Sequence, residues 1–307
     1  MINKIRSEEN PVLLVDCGGF FPRRFINDSG KIVVERGLKV ANMMGYAAMN
    51  IGTGEFGFGV DFLGKKSSDL TFPLVASNLS YAEGVSPFTK KFVMAEAGDL
   101  KVAILGVMFP GTSDNMIASK ISGIVDIIPP GEALKSILPG IRKEADIVIL
   151  LSQLGTIETK RLVDGLKGID LVIYGGKDNK PAGCGEKIEA TSSTGESGAV
   201  ELMANAKGSF LGYVRLSVDD AGRVAVGPSK MISLDESVEM DEKVLEITGI
   251  DIYKTAGEER RKAAEEQKRV AEKQRQEQLR KIKELQKLTP EEYMQKLLKE
   301  QKGEIKQ

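Results

Sequence analysis

The sequence contains no histidine. Histidine is the usual general base near neutral pH and the commonest protein ligand of catalytic transition metals. Its absence excludes serine–histidine and cysteine–histidine catalysis, and every metal centre that depends on imidazole ligands. Any chemistry in this chain must therefore come from carboxylates, amides, hydroxyls, thiols or the backbone.

Cysteine is almost as scarce, with Cys17 and Cys184 alone. Two cysteines cannot form a disulfide framework, and neither has the spacing of a zinc site, which favours a reducing compartment. No apolar run approaches the roughly 20 residues that span a bilayer, and the first residues have no apolar signal region. We therefore expect a cytoplasmic protein, or an exported one if the native N-terminus is longer.

Hydrophobic residues make up 41% of the 307 residues, and the formal net charge is −1. This length is enough for one large domain with an appendage. The near-neutral charge produces no general attraction to nucleic acids or membrane surfaces, so we expect neither as a partner.

Short apolar runs alternate with helical patterns over residues 1–240, which is typical of a mainly parallel sheet. The run PVLLVDCGGF predicts a buried strand that ends at Asp16 and Cys17, and FPLVASNL predicts a strand that ends at Asn78. KFVMAEAGDLKVAILGVM predicts a hairpin, and DIVILLSQLG and IDLVIYGG predict two further strands. After KDNKPAGCGEK the pattern predicts antiparallel strands.

The composition changes from residue 241, where helix formers and charged residues predominate and basic residues outnumber acidic ones. We therefore predict a domain over 1–240 and a charged helical extension over 241–307. The apolar positions of the extension form no sustained coiled-coil seam. It is either a solvated appendage or an arm that binds a protein partner or self-associates.

Six segments, taken in order, cover roughly residues 7 to 250. They are LLVDCGGFF, MMGYAAMNIGTGEFGFG, FPLVASNL, ADIVILLSQLG, GIDLVIYGGKDN, and the closing NAKGSFLGYVRLSVDDAGRV with DESVEMDEKVLEI. Together they resemble the N-terminal catalytic domain of the 5′-nucleotidase family of calcineurin-like metallophosphoesterases. The resemblance implies an α/β fold, a four-layer α/β/β/α sandwich with its site on loops at the C-terminal ends of the strands. The family's opening strand has no counterpart, so we expect that strand to be missing.

The resemblance also implies two divalent metals that activate a water and clamp a phosphoryl group. Each ligand position that can be matched carries another residue in this chain: Gly19, Thr53, Gly54, Gln153, Lys177 and Asn179. Glycine offers no side-chain donor, and Lys177 puts a cation where a dication would lie. We therefore expect no metal cofactor. Asp16, Glu55 and Asn78 are the motif residues that the chain retains.

Three functions follow from this pattern. The first is a pseudoenzyme or binding module that keeps the fold without the reaction. The second is a thiol-redox protein in which Cys17 and Cys184 share the former cleft, with a thiol pKa lowered by Lys177 and backbone dipoles. The third is a phosphoesterase with a rebuilt site. Cys17 is otherwise a small buried hydrophobe.

The Gly-rich turns CGG, GTGEFGFG and GGKDN suggest one further ligand. Their backbone N–H groups could hold a small anion, with Lys177 as counter-charge. Inherited turn geometry is the alternative explanation of these glycines.

Overall fold

A computed structural model describes residues 1–21, 26–111, 114–175, 199–203, 208, 210–235 and 237–249, with short stretches between 269 and 280. The chain divides into two compact units, Met1–Thr248 and Gly249–Gln307. Every helix and strand named below belongs to the first unit. Within the described ranges, no helix has the length and apolar character needed to cross a membrane.

The first unit alternates helices and strands. The helices are α1 (Ile2–Glu8), α2 (Asp28–Met44), a 3₁₀ helix (Thr53–Phe58), α3 (Val60–Ser67), α4 (Asn115–Ile121), α5 (Pro130–Ile141), α6 (Thr156–Asp164) and α7 (Glu242–Thr248). The strands are β1 (Val15–Asp16), β2 (Ala48–Asn50), β3 (Leu74–Val75), β4 (Leu79–Tyr81), β5 (Phe92–Ala97), β6 (Leu100–Met108), β7 (Val125–Ile127), β8 (Ile147–Gln153), β9 (Leu171–Tyr174), β10 (Val200–Met203), β11 (Phe210–Val218) and β12 (Val224–Ser233).

Two main sheets carry the fold. A parallel sheet has the order β1-β2-β3, and a five-stranded sheet has the order β10-β9-β8-β6-β5. Only β5 is antiparallel in the larger sheet, because it forms a hairpin with β6. The strands β11 and β12 form an antiparallel ribbon, and β4 pairs with β7.

Three apolar clusters show the four layers. Leu38 of α2 packs with Met49 of β2 on the outside of the small sheet. Leu134 of α5 packs with Leu105 of β6 on the outside of the large sheet. Between the sheets, Ala48 and Val75 share a cluster with Val102, Ile104, Ile147, Ile149 and Leu171. The central strands read as continuous apolar runs because both of their faces are buried.

Local signals account for the ends of α2. Asn27 precedes the helix, and its Oδ1 accepts a hydrogen bond of 2.9 Å from the backbone N–H of Gly30. The helix ends at Gly45, which adopts the left-handed conformation that glycine tolerates. Arg6 of α1 donates to the carbonyls of Met44 and Gly45 at 2.8 Å each. These bonds attach α1 to the C-terminal end of α2.

The structure confirms the α/β sandwich, the hairpin of β5 and β6, and the predicted strands β8 and β9. Three details of the prediction were wrong. The segment before Asp16 is half-buried and β1 is only two residues long; among the described residues it pairs only with β2. The strand predicted to end at Asn78 ends at Val75, since Ala76 and Ser77 donate instead to the carbonyls of Lys90 and Gly106.

The third error concerns β10, which is parallel to β9 rather than antiparallel. Residues 175–199 separate the two strands, a connection long enough for the crossover that parallel strands require. The β-rich pattern after this connection predicted successive antiparallel strands, which is confirmed for β11 and β12.

Buried side chains join the two sheets, and Asn50 is one of them. Asn50, at the end of β2, donates from Nδ2 to the carbonyls of Val107 in β6 and Leu151 in β8, at 3.0 and 3.2 Å. Its Oδ1 has no hydrogen-bond donor among the described residues. That oxygen occupies the space beside Gly106, where an added Cβ would lie 2.3 Å from Oδ1 and 2.8 Å from the carbonyl oxygen of Val75.

We predict that Gly106→Ala lowers the free energy of unfolding by about 1–3 kcal/mol, because the new methyl group overlaps Asn50 between rigid sheets. Gly140→Ala is the matched control, since Gly140 is exposed in α5 and an added Cβ meets nothing within 4 Å. It should raise stability by about 0.5–1 kcal/mol. Urea unfolding of both variants measures the difference, and equal stabilities would contradict the close approach at Gly106.

Candidate functional site

The turns that follow β1 and β2 meet the end of β8 at one edge of the sandwich, around the side chain of Gln153. Its Nε2 donates to the carbonyl of Gly18 at 2.6 Å. A Cβ added to Gly19 or Gly175 would lie 3.3 Å from Nε2, and one added to Gly52 would lie 3.4 Å from Cγ. Three glycines from three turns therefore leave the space that one glutamine fills.

The first of these turns requires glycine. Gly18 and Gly19 have φ values of 87° and 82°, in the region that disfavours other residues. A Cβ on Gly18 would also lie 2.6 Å from the carbonyl oxygen of Asn50. A side chain at either position would have to overcome backbone strain before it could serve as a ligand.

Glu55 joins the turns after β1 and β2. Its Oε1 accepts hydrogen bonds from the backbone N–H groups of Phe20 and Phe21 at 2.6 and 3.3 Å, and its Oε2 accepts one from Gly52 at 2.8 Å. The side chain is 2% exposed, and burial raises the pKa of its carboxyl despite these donors. Its contacts are those of a residue that supports the turns.

The other retained motif residues also bond to backbone. Asp16 accepts a hydrogen bond of 2.7 Å from the N–H of Gly18, and burial raises the pKa of its carboxyl. Asn78 is fully buried; it donates to the carbonyls of Met108 and Ile128 at 2.9 Å each and accepts from the N–H of Met108 at 3.0 Å. Asn78 thus holds the loop after β3 against the end of β6.

Of the remaining predicted positions, two lie within the described residues and three do not. Thr53 and Gly54 begin the 3₁₀ helix, Thr53 half-buried and Gly54 buried. Lys177, Asn179 and Cys184 lie outside the described residues. Among those that are described, no three His, Cys, Asp or Glu side chains come together to hold a metal ion. Glycine, threonine and glutamine at the matched positions do not fit a site for two divalent cations.

Cys17 lies between the two sheets and is 6% exposed. Its Sγ donates to the carbonyl of Ile173 at 3.3 Å. Burial, and then the neighbouring Asp16 carboxylate, raises the pKa of the Cys17 thiol well above its usual range. The expectation of a lowered pKa is therefore wrong for the described surroundings of Cys17. Its pairing with Cys184 stays a prediction.

Sequence reasoning missed Asn50 and Gly106, which determine how the sheets approach each other. A signal was present, because Asn50 is the one polar residue of the apolar run AMNIG. The bond to the carbonyl oxygen of Cys17 at 3.1 Å also places Asn50 behind the site. Its partners come from β6 and β8, far away in sequence, so the residue types alone could not indicate the contact.

The chain has sequence relatives that are named as a nucleotide phosphoesterase and as 5′-nucleotidases. It is 26% identical over 275 residues to the trifunctional nucleotide phosphoesterase protein YfkN of Bacillus subtilis, in an alignment covering 78% of this chain and 18% of that protein. It is 27% identical over 273 residues to the 5′-nucleotidase of Bos taurus, covering 79% and 44%. The chain is related to the 5′-nucleotidase family. No family model matches it.

Solved structures give the same fold. The calcineurin-like phosphoesterase YfkN from Bacillus subtilis superposes with a TM-score of 0.62 at 23% identity, over 83% of this chain and 86% of that one. A 5′-nucleotidase precursor from Thermus thermophilus superposes with a TM-score of 0.65 at 18% identity, over 83% and 52%. The fold is therefore that of the calcineurin-like phosphoesterases. The chain spans less than half the length of these curated 5′-nucleotidase and YfkN relatives.

We predict that Glu55→Ala lowers the free energy of unfolding by about 1–3 kcal/mol, because it leaves buried backbone N–H groups without an acceptor. The raised pKa of Glu55 means that the folded protein binds more protons than the unfolded chain as pH rises above the ordinary value of 4.5. That contribution is complete below pH 4.5 and declines as pH rises through the folded pKa. The loss in Glu55→Ala should therefore be larger at acidic than at neutral pH.

Urea unfolding from acidic to mildly basic pH measures this loss. Glu35→Gln is the control, since Glu35 pairs with Lys66 at 2.8 Å on the surface, where an ion pair contributes less than about 1 kcal/mol. A loss in Glu55→Ala that grows with pH would show instead that the site stabilises the carboxylate.

We predict that Cys17 reacts with a thiol reagent only on unfolding, because the thiol is buried and its pKa is raised. A Cys184→Ser variant leaves Cys17 as the single thiol, so that its reaction with a disulfide reagent can be followed alone. Fast modification of the native variant at neutral pH would contradict the buried position and support a redox role.

Proposed function

We propose that this chain has lost di-metal phosphate-ester hydrolysis and acts as a binding module on the phosphoesterase fold. The observation that carries the proposal is the position of Gln153. A neutral amide fills the point where the turns after β1, β2 and β9 converge, and the surrounding glycines provide no side-chain ligand.

The chemistry of the donors supports this proposal. A pair of divalent cations needs several anionic or imidazole ligands and a bridging carboxylate. Among the matched positions that are described, Thr53 and Gln153 offer one hydroxyl and one amide. The nearby carboxylates of Asp16 and Glu55 already accept backbone hydrogen bonds, and the pKa of each is raised because burial favours the neutral form.

A polypeptide is the kind of partner that we propose for this module. A small anion at the Gly-rich turns is less well supported, because four of the backbone donors there already serve Asp16 or Glu55. These donors are the N–H groups of Gly18, Phe20, Phe21 and Gly52. The charged extension over 241–307 is one candidate surface for a protein partner, as the sequence suggests.

We predict that the purified chain shows no EDTA-sensitive release of phosphate from nucleoside monophosphates with Mn²⁺, Zn²⁺ or Mg²⁺. Metal analysis should find no stoichiometric divalent ion, because the described donors are too few. The YfkN phosphoesterase of Bacillus subtilis serves as the active control under the same conditions.

Gln153→Ala separates activity of this chain from that of a contaminant. A contaminant's phosphate release would be the same in both preparations, whereas turnover by this site would change with the variant. Metal-dependent turnover that responds to Gln153→Ala would overturn the proposed loss of hydrolysis.

A further inference from the structure

The strand β5 forms one edge of the large sheet. In the part of the chain that the structure describes, it pairs with β6 on one side and with no strand on the other. Its inward side chains Val93, Ala95 and Ala97 join the apolar cluster between the sheets. On the outer face, Met94 is 37% exposed, and Glu96 is also exposed. The strand is thus anchored on β6 and on the core, and its other edge is open.

The hydrogen bonds of β6 show which backbone groups of β5 lie at the open edge. Lys101 is the ladder partner of Glu96, but its N–H donates to Oδ2 of Asp146 at 2.7 Å and its carbonyl accepts from the N–H of Asp146 at 2.8 Å. Both groups therefore face β8, and Glu96 and Lys101 form a pair without mutual hydrogen bonds. Such pairs recur at every second residue of an antiparallel ladder, so Met94 and Phe92 belong to pairs of the same kind. The N–H and C=O groups of Phe92, Met94 and Glu96 face away from β6.

This edge is regular and lacks the features that usually prevent pairing. Among the described residues, the outward groups of Phe92, Met94 and Glu96 have no hydrogen-bond partner. Exposed edges commonly carry a proline, a lysine or a bulge. The strand β12 contains Pro228, and its ladder with β11 is irregular. By contrast, β5 contains neither proline nor lysine, and its ladder with β6 has a continuous register.

The strand is complementary to itself when two copies run antiparallel. One register places Met94 opposite Met94 and Phe92 opposite Glu96. In that register every outward N–H and C=O group of these three residues meets a partner in the other copy. A shift by two residues in either direction leaves some of these groups without a partner. Opposite residues of an antiparallel pair lie on the same face, so the apolar inner face of the sheet continues across the junction.

Charges near the two ends of β5 favour the same arrangement. Lys90 lies before the strand and Glu96 lies near its end, and both residues are exposed. Antiparallel pairing places Glu96 of one copy diagonal to Lys90 of the other, within the reach of long side chains. A parallel pair would place like charges side by side, which is destabilising. The charge pattern therefore favours a second copy of this chain in the antiparallel orientation.

We propose that two copies of this chain associate through β5 and join their five-stranded sheets into one continuous sheet. The twofold axis passes between the two Met94 side chains, which cover each other's exposed apolar surface. A single strand pair is a small interface, so we expect the dimer to dissociate on dilution. The inference goes beyond the proposed function, because it uses neither Gln153 nor the glycine turns and does not depend on the loss of hydrolysis.

Two charge variants of the full chain test the pairing. Glu96→Lys places two cations across each diagonal contact, and Lys90→Glu places two carboxylates there. Each variant alone should therefore dimerise about tenfold more weakly than the unaltered chain. A mixture of the two variants should associate as well as the unaltered chain, because both diagonal contacts then join opposite charges. Sedimentation velocity at rising protein concentration measures all four samples.

A proline variant tests the backbone bonds. Met94→Pro removes an N–H at the open edge without removing a bond to β6, so the edge strand tolerates it. Each dimer then loses its central hydrogen bonds, and association should weaken at least about tenfold. Met94→Leu is the matched control, since it keeps the N–H and an apolar side chain, and it should stay within about threefold. If circular dichroism shows that Met94→Pro does not fold, the mixed charge variants decide the question, because they alter only exposed side chains.

Hydrogen exchange locates the interface in the unaltered chain. Exchange in residues 92–97 should slow as the protein concentration rises, while exchange in β12 stays unchanged. Protection of 92–97 in a monomer at every concentration would overturn the inference, since another segment of the same chain would then cover the edge.

Three further outcomes would also overturn the inference. They are a monomer at every concentration, a mixture of charge variants that associates no better than either alone, and a dimer that persists unchanged in Met94→Pro. The last result would place the interface elsewhere, for example in the extension over 241–307. Failure here is distinguishable from failure of the proposed function, because phosphate release is measured separately and neither charge variant alters the turns around Gln153.

Discussion

The amide of Asn50 holds together the parts on which the rest of the structure depends. It lies between two sheets, and its Nδ2 reaches carbonyls of the β1 turn, β6 and β8. A buried amide between apolar faces is stable only where its donors find acceptors. This requirement brings the C-terminal ends of β1, β2 and β8 to one edge, and Gly106 supplies the space that lets the side chain fit.

The polar groups of the turns at that edge bond to the backbone. Both carboxylate oxygens of Glu55 accept hydrogen bonds from backbone N–H groups of two turns. The amide of Asn78 both donates and accepts hydrogen bonds that hold a third loop. Gln153 fills the centre. A network of loops whose hydrogen-bond donors and acceptors bond to one another is rigid, and few of its polar groups are available to bind a substrate.

The sequence by itself determined the alternation of strands and helices, the relation to the phosphoesterases, and the absence of imidazole ligands. Periodicity and residue type are local properties, so β6, β8, α5 and the glycine turns were readable without coordinates. Tertiary structure alone decided that β10 runs parallel to β9, that Cys17 is buried with a raised thiol pKa, and that Gln153 fills the site. Each of these depends on contacts between residues far apart in the chain, and burial and hydrogen-bond partners arise only when such residues meet.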